Sequence, residues 1–299
     1  MSDSFYLLPA SRGLLAVAGE DKASFLQGIV SNDVTKAGPA RALYTAFLTP
    51  QGKYLHDFFL AELGGSFYLD CEAERRDDLR RRLSLYKLRA KVTIADATGT
   101  HQVALLFGGG APARLGLEPE PGAAKPFAGG VAYVDPRLAT LGARAVLPRE
   151  GAETALRDAG FAPGSAEAYE RLRLTLGVPD GSRDLPVEKA ILLENGFDEL
   201  HAIDWDKGCY LGQELTARTR YRGLVRKRLL PVEIEGPTPE PGTPVLLEDQ
   251  EAGVMRSALD GIGLALLRLE HVEGAGRGAM RAGEAKLTPK KPDWVKLPE

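Results

Sequence analysis

The chain has 299 residues, of which 44% are hydrophobic and 26% charged, and its formal net charge is −3. This is the composition of a globular protein, and the negative charge excludes a molecule that binds nucleic acid or membranes by bulk attraction. The N-terminus lacks the patterns of a signal or transit peptide, and no apolar run approaches the roughly 18 residues of a membrane-spanning helix. We therefore expect a soluble, cytoplasmic protein in which any basic site is local.

The first 110 residues combine helical and extended patterns. Extended segments are predicted at 13–17, 42–48, 54–60, 67–71, 91–94 and 102–107, and helices at 21–29 and 77–89. Pro50 to Lys53 have the composition of a turn, so the strands on either side of them are expected to form a hairpin.

The remainder of the chain changes character twice. A Gly-, Pro- and Ala-rich stretch at 108–126 predicts a loop or an insertion, and residues 166–176 predict a helix that ends at Gly177. From Leu229 onward, short extended runs separated by Gly- and Pro-rich turns are typical of a small β-barrel or sandwich. We place the domain boundary near Gly223, with a body of two subdomains at 1–223 and the β-domain at 224–299.

The chain has only two cysteines, Cys71 and Cys209, and four scattered histidines. This spacing favours neither a structural zinc site nor a disulfide framework, and no metal site is predicted. Cys71 ends a predicted apolar strand, so we expect it to be a small buried hydrophobe.

Cys209 lies in the octet K-G-C-Y-L-G-Q-E, Lys207 to Glu214. A turn is predicted at Asp206–Gly208, followed by a helix that has Cys209 in its first turn and runs to about Arg218. The free N–H groups of a helix start favour a thiolate, Lys207 would add a positive charge, and glycines at 208 and 212 would let a ligand approach the backbone. Two interpretations stay open: a reactive thiol, acting as nucleophile, redox group or soft metal ligand, or a small apolar residue at a tight helix start.

A basic run follows the octet, with six basic residues among the eleven from Arg218 to Arg228. In an extended chain Arg218, Arg220 and Arg222 share one face. The interleaved Tyr221 raises the possibility of nucleic-acid binding, but we rank binding of an anionic ligand tail or a partner protein first, a solvated strand second and nucleic acid last. A second basic cluster, at 75–82, is interpreted as an exposed helix face.

The octet and the R-T-R-Y-R-G that follows it resemble the signature of the YgfZ family, folate-binding proteins of iron–sulfur protein maturation. That family shares its fold with the glycine-cleavage T-protein, an aminomethyltransferase. Residues 25–34, 42–58 and 261–268 resemble that fold's N-terminal block, its hairpin and a strand of its C-terminal barrel. The resemblance implies an α+β fold, in which a T-protein-like folate-binding body precedes an antiparallel β-barrel. It also implies tetrahydrofolate as cofactor and iron–sulfur client or assembly proteins as partners.

The T-protein has two adjacent aspartates where this chain has His56 and Asp57. Successive side chains of a strand face opposite ways, so His56 and Asp57 are not expected to share a pocket. The transferase pair is thus incomplete, and the octet cysteine is not a T-protein feature. Both differences favour YgfZ.

The resemblance also implies site residues. Glu188 matches a glutamate that would accept the donors of a pterin edge in bidentate fashion, although a solvated loop residue is the alternative. The candidate reactive residues are Cys209 and Lys207. The candidate folate-binding residues are Asp57, Glu188, Gly208, Gly212, Gln213, Glu214, Arg220 and Arg222. Three functions stay open: support of iron–sulfur protein assembly or repair through Cys209, folate-dependent one-carbon transfer, and non-catalytic docking of client proteins.

Overall fold

A computed structural model describes residues 4–223, 225–272 and 280–297. Its internal contacts divide the chain into two compact units: Met1–Leu48 with Leu55–Ala166 and Leu200–Leu211, and Thr49–Tyr54 with Glu167–Glu199 and Gly212–Glu299. This division differs from the boundary predicted near Gly223, because residues 167–199 and 212–223 group with the C-terminal strands. Leu224, where the predicted barrel domain begins, lies outside the described residues.

The first unit contains two sheets and four α-helices. Its strands are β1 (Ser4–Leu7), β2 (Arg12–Ala18), β3 (Leu43–Leu48), β4 (Tyr54–Leu63), β5 (Ser66–Glu72), β6 (Thr93–Asp96), β7 (His101–Gly108), β8 (Ala124–Phe127), β9 (Gly130–Val134), β10 (Ala143–Pro148) and β11 (Ala162–Pro163). Its helices are α1 (Lys22–Gln27), α2 (Arg76–Tyr86), α3 (Ala111–Arg114) and α4 (Ala152–Asp158), with 3-10 turns at Val34–Lys36 and Ala139–Leu141.

The two sheets have the strand orders β3-β4-β5-β2-β6 and β11-β1-β7-β10-β9-β8. Every residue of β3 is buried, as is most of β4, because their aromatic and apolar side chains are covered on both faces. The second sheet packs small and apolar side chains into one core, including Leu106, Ala132, Ala145, Leu156 and Phe161.

The second unit contains α5 (Ala166–Leu176), α6 (Gly181–Asp184), a 3-10 turn at Leu193–Asn195, α7 (Gln213–Tyr221), β12 (Lys227–Glu235), β13 (Pro244–Leu247), β14 (Gln250–Leu259), β15 (Ile262–Arg268), α8 (Leu269–Val272), β16 (Met280–Ala282) and β17 (Ala285–Pro289). Its six strands close into a barrel in the order β12-β15-β14-β13-β16-β17. Apolar side chains such as Leu230, Val232, Met255 and Leu267 fill the interior. The predicted α+β fold with a C-terminal antiparallel barrel is therefore confirmed.

Several local predictions hold, and one does not. The hairpin is formed by β3 and β4, and the helix 166–176 ends where Gly177 adopts a φ of +73°. The stretch at 108–126 is not merely a loop, since it contains α3 and the start of β8. Pro112 lies in the first turn of α3, where its missing N–H costs nothing.

Candidate functional site

The segment Leu200–Leu211, which we call the arm, carries most of the octet. Hydrogen bonds fasten it to residues 27–32 of the same unit. Ser31 accepts from the Asp204 backbone N–H at 3.0 Å and donates its hydroxyl to the Ala202 carbonyl at 2.6 Å. The side-chain amide of Asn32 donates to the His201 carbonyl at 2.7 Å. The arm therefore holds an irregular path without secondary structure of its own, because its backbone groups have fixed partners.

Lys207 provides the densest of these attachments. Its ammonium donates to the backbone carbonyls of Gln27, Val30 and Asn32, with the Gln27 and Asn32 bonds at 2.8 and 2.7 Å. A lysine has three N–H donors, so all of them are used. The prediction that Lys207 lends its charge to Cys209 does not fit this geometry, in which Lys207 fastens the arm.

Burial lowers the pKa of Lys207 to about 8, while the nearby carboxylates of Asp33 and Asp204 act in the opposite direction. Only the ammonium form can donate to three carbonyls at once. At pH 7 the side chain is therefore cationic, and its charge is directed at backbone oxygens.

Cys209 is exposed, but it does not begin a helix. Gly208 and Gly212 adopt φ values of +86° and +78°, and helix α7 begins only at Gln213. A right-handed helix cannot pass through residues with positive φ, which is why the predicted helix start at Cys209 is wrong. The helix-start argument for its reactivity is lost with it, and what supports reactivity is exposure on a fastened arm.

The two glycines of the octet allow the backbone to adopt positive φ values. A Cβ added at Gly208 would meet no atom within 4 Å, so its positive φ, not a close approach of other protein atoms, explains the glycine. Gly52, which sequence reasoning assigned only to the turn, has a sharper steric role. A Cβ there would lie 2.5 Å from the Leu215 Cβ and 2.6 Å from the Gly212 carbonyl oxygen, so only glycine lets this turn pack on the start of α7.

The basic run after the octet is helical at its start. Arg218 and Arg220 lie on α7 and Arg222 is its C-cap, so the prediction of one extended face shared by the three is wrong. At 100° per residue Arg220 points away from the side of Arg218 and Arg222. Thr216 and Thr219, also on α7, are buried.

The remaining candidate folate-binding residues are divided between the units. Gly212, Gln213, Glu214, Arg220, Arg222 and Glu188 belong to the second unit, whereas Asp57 and Gly208 belong to the first, as do the candidate reactive residues Lys207 and Cys209. Glu188 is exposed and has a φ of +61°, and its backbone N–H donates to the Tyr54 carbonyl at 2.8 Å.

Asp57 and His56 are both buried and face different partners, as strand alternation predicts. Asp57 accepts a hydrogen bond from the Tyr44 hydroxyl at 2.8 Å, and the His56 Nε2 lies 3.0 Å from Asp78 on α2. Burial, with a contribution from the Arg75 charge, lowers the pKa of His56 to about 4, although Asp78 opposes the shift. His56 is thus neutral at pH 7 and turned toward the helix, and it cannot replace the missing aspartate.

A cavity of about 310 Å³ opens in the first unit beside Tyr44. It brings together the loop after α1, the start of β3, the stretch before β8 and the arm. Its lining includes two cations, two carboxylates and polar side chains: Asn32, Lys36, Arg41, Tyr44, Glu120, His201 and Asp204. Lys36 pairs with Asp204, and Arg41 with Glu120 at 3.1 Å. Sequence reasoning did not find Arg41, Glu120 or His201, since 79 or more residues separate Arg41 from the other two.

A buried ion network stiffens the interior of the same unit. Asp70 binds Arg12 at 2.6 Å and Arg144, and Asp135 binds Arg137 at 2.8 Å. The Phe59 ring lies 3.8 Å from the Arg144 guanidinium and 4.8 Å from that of Arg137. Such charges are tolerated in an interior because they are mutually paired. Arg137 also lies 5.5 Å from the Tyr44 ring, which joins this network to the wall of the cavity.

Within the described ranges, no group of three or more His, Cys, Asp or Glu side chains is placed to hold a metal ion. No helix in that part of the chain is both long enough and apolar enough to cross a bilayer.

Comparison with known proteins adds three findings. Residues 226–297 match the family model described as the CAF17 C-terminal beta-barrel domain. The mouse and human mitochondrial iron–sulfur cluster assembly factors IBA57 are 35% and 36% identical to this chain, each covering 95% of it and 83% of the relative. The crystal structure of the glycine cleavage system aminomethyltransferase T from Bartonella henselae superposes with a TM-score of 0.75 at 15% identity, covering 98% of this chain and 86% of that one.

The last comparison supports the fold alone, given the low identity. The second contradicts one expectation, since both relatives are named as mitochondrial. The predicted cytoplasmic location is wrong, because a pattern read from the N-terminal residues does not by itself report the compartment.

Proposed function

Because this chain belongs to the IBA57 family of iron–sulfur cluster assembly factors, we propose that it supports the maturation of iron–sulfur proteins and that Cys209 is its reactive group. The observation that carries the proposal is the identity of 35% over 95% of the chain. The exposure of Cys209 on the fastened arm supports the residue assignment.

An exposed cysteine has chemistry suited to this role. Its thiolate is a nucleophile and a soft metal ligand. An iron–sulfur cluster is held by several thiolates, commonly four, and the described residues offer no group of such ligands around Cys209. In this proposal Cys209 therefore contributes one ligand to iron or a cluster that is the cargo, and a partner protein contributes the others.

We further propose tetrahydrofolate as the small-molecule ligand, with the cavity beside Tyr44 as its site. A volume of about 310 Å³ is at the lower end of that of ligand pockets. Lys36 and Arg41 are suited to the carboxylates of a glutamate tail, and Glu120 and Asp204 can accept from the donors of a pterin. Glu188, in the second unit, is the competing pterin acceptor that the resemblance implies.

Aminomethyl transfer is not part of the proposal. Asp57 is the single aspartate of the expected pair, and its carboxylate is buried and bonded to the Tyr44 hydroxyl. The neighbouring His56 faces Asp78 instead. The likeness to an aminomethyltransferase is one of fold.

The decisive test is complementation. Cells that lack the protein receive the wild type, Cys209→Ala or Cys71→Ala, and the activities of iron–sulfur enzymes are compared with those of enzymes that contain no iron. We expect wild type and Cys71→Ala, at equal protein level, to restore the iron–sulfur enzymes, and Cys209→Ala to restore none. Full restoration by Cys209→Ala would remove Cys209 from the function, and no effect of the deletion would remove the function itself.

Folate binding is measured separately by calorimetry with reduced folate. Leaving pterin donors unpaired costs about 1–3 kcal/mol, or roughly five- to 150-fold in affinity. If the cavity holds the pterin, Glu120→Gln is expected to weaken folate binding by that amount. If Glu188 is the pterin acceptor, as the resemblance implies, Glu188→Gln is expected to weaken it instead. Absence of binding by the wild type, or equal binding by both variants and the wild type, would contradict the assignment.

A further inference from the structure

The end of helix α2 displays an unusual concentration of exposed apolar side chains. Among the described residues five large hydrophobic side chains are exposed, and three of them lie between positions 85 and 88. Leu85 is 67% exposed, Tyr86 39% and Leu88 89%. Scattered exposed leucines need no explanation, but a cluster of this kind is typical of an interaction site. We call Leu85–Arg89 the α2 tip.

The α2 tip is a fixed structure. Leu79 and Leu83 anchor the helix in the core before it, and Val92 is buried after it. The Ala90 N–H donates to the Lys87 carbonyl at 2.8 Å, and the Lys91 N–H to Asp21 at 2.7 Å.

Leu88 itself adopts a φ of +43°, a conformation that bulky L-residues rarely take. The chain thus holds an apolar side chain in solvent in an unfavourable backbone conformation. Packing within the described protein offsets little of that placement, since Leu88 is 89% exposed.

The surroundings of the tip carry a net positive charge. Residues 75–91 contain six arginines, two lysines and two aspartates, so their net charge is 8 − 2 = +6, in a chain whose total is −3. Three carboxylates outside this range neutralise part of that charge, since Arg75 pairs with Glu72, Arg76 with Asp96 and Lys91 with Glu20, and a net charge of 6 − 3 = +3 remains. The cluster at 75–82 is more than the solvated face that its sequence indicates, because Arg75 donates to the Leu55 carbonyl at 2.6 Å and Arg82 to Asp78 at 2.8 Å. These bonds fix part of the positive charge beside the apolar side chains.

We propose that the α2 tip is a docking surface for a partner protein with an acidic surface around an apolar pocket, into which Leu88 and Leu85 insert. This inference rests on the proposed function for the identity of the partner, an iron–sulfur client or assembly protein. Protein interfaces have an apolar core and are enriched in arginine, and the positive charge of this segment would steer the encounter with an acidic partner.

The geometry favours a protein over the other anionic partners. A helix that lies on a membrane needs an apolar face along its length, and the apolar face of α2, at Leu79 and Leu83, is buried in the core. Single-stranded nucleic acid is bound through stacking on aromatic rings, whereas the tip presents two leucines, and the one aromatic ring, of Tyr86, meets the Phe47 ring edge-on at 5.9 Å.

The test places a photo-crosslinking benzophenone amino acid at position 88 of the full-length protein in cells, with position 246 as the matched control. Leu246 is an exposed leucine of the barrel. Adducts are identified by mass spectrometry, and the captured protein is purified and titrated against wild type, Leu88→Asp, Arg89→Glu and Leu246→Asp. Vesicles of phosphatidylglycerol are titrated in parallel.

We expect an adduct at position 88 that is absent at 246, with an acidic protein of the iron–sulfur system. Its binding should weaken at least tenfold in Leu88→Asp and Arg89→Glu and with rising salt, and remain unchanged in Leu246→Asp. Because Leu88 is exposed, Leu88→Asp should melt like the wild type, and Arg89→Glu tests the same surface if it does not. Folate binding should be unchanged in both.

Three results would overturn the proposal: no adduct above the control, an adduct with a second copy of this chain, or binding to vesicles that Leu88→Asp abolishes. An acidic partner outside the iron–sulfur system would retain the docking surface and reject its link to the proposed function. If the deletion left iron–sulfur enzymes unaffected while the adduct formed, the function would fail and the surface would stand.

Discussion

The five-stranded sheet and the arm of the same unit both carry side chains capable of chemistry, and the two regions treat them in opposite ways. In the sheet, Cys71 is buried with its Sγ 3.6 Å from the Gly13 carbonyl oxygen, and burial raises its pKa to about 12. On the arm, Cys209 is exposed. Apolar packing thus makes the cysteine thiol of the sheet inaccessible. The cysteine thiol of the arm stays accessible to solvent, because backbone hydrogen bonds rather than packing hold that segment.

The two regions also differ in the charge state of a basic side chain, His56 in the sheet and Lys207 on the arm. Burial keeps His56 of the sheet neutral. Lys207 of the arm remains charged, and its ammonium donates hydrogen bonds to three backbone carbonyls. His56 is therefore uncharged at neutral pH, whereas the charge of Lys207 is directed at backbone oxygens. The contrast teaches that a lysine near a cysteine in the sequence can direct its hydrogen bonds to the backbone instead.

The largest expected difference between the two regions is in thiol reactivity. A pKa of about 12 lowers the thiolate fraction of Cys71 by about 10³ relative to a free thiol, and burial adds protection. In the native protein iodoacetamide should therefore label Cys209 more than about 10³-fold faster than Cys71, as followed by mass spectrometry over time at neutral pH. Both should react at similar rates in urea, and comparable native rates would mean that Cys209 is a packing residue.

A second experiment asks whether Lys207 fastens the arm or activates the thiol of Cys209. Lys207→Met leaves three carbonyl oxygens without their donor, so we expect a loss of about 1–3 kcal/mol in the free energy of unfolding, measured by urea titration. Lys189→Met, at an exposed lysine, is the control and should change it by less than about 0.5 kcal/mol. Alkylation of Cys209 under native conditions should stay within about twofold of the wild type, because the ammonium faces the backbone. Slower alkylation by an order of magnitude at unchanged stability would make Lys207 an activator.

The third experiment concerns the sheet in acid. The folded pKa of His56 is about 4 and lies below its usual value of 6.5, so between these values the unfolded chain binds the proton more strongly. Stability must then fall as the pH is lowered from about 6.5 to about 4, by up to about 3 kcal/mol from this group.

His56→Gln should lose that part of the pH dependence, measured as the difference in unfolding free energy between pH 6.5 and pH 4. Asp78 stays ionised throughout the window. Burial raises its pKa, but hydrogen bonds from Arg82, Arg81 and His56 outweigh this effect and hold the pKa at about 2. Equal pH dependence of variant and wild type would show that His56 is not held neutral.

Local sequence patterns were sufficient for the elements whose periodicity is undisturbed. The helix at 166–176 ends at Gly177 because a residue with positive φ cannot continue it, and the β3–β4 hairpin follows from two apolar runs around a turn. The same kind of pattern predicted the C-terminal barrel and the burial of Cys71. A motif resemblance identified the role in iron–sulfur maturation that the relatives support.

Only the tertiary structure decided which conformation the octet adopts. The glycines at 208 and 212 permit a helix, a turn or an irregular arm, and the choice depends on acceptors for Lys207 that lie 175–180 residues earlier in the chain. Likewise, Asp57 and His56 were assigned opposite directions by strand alternation, but their partners, Tyr44 and Asp78, come from different elements. Hydrophobic periodicity reflects the local backbone conformation and can be recognised from consecutive residues. Tertiary packing determines which distant donor meets which acceptor, so local sequence patterns do not predict these hydrogen bonds.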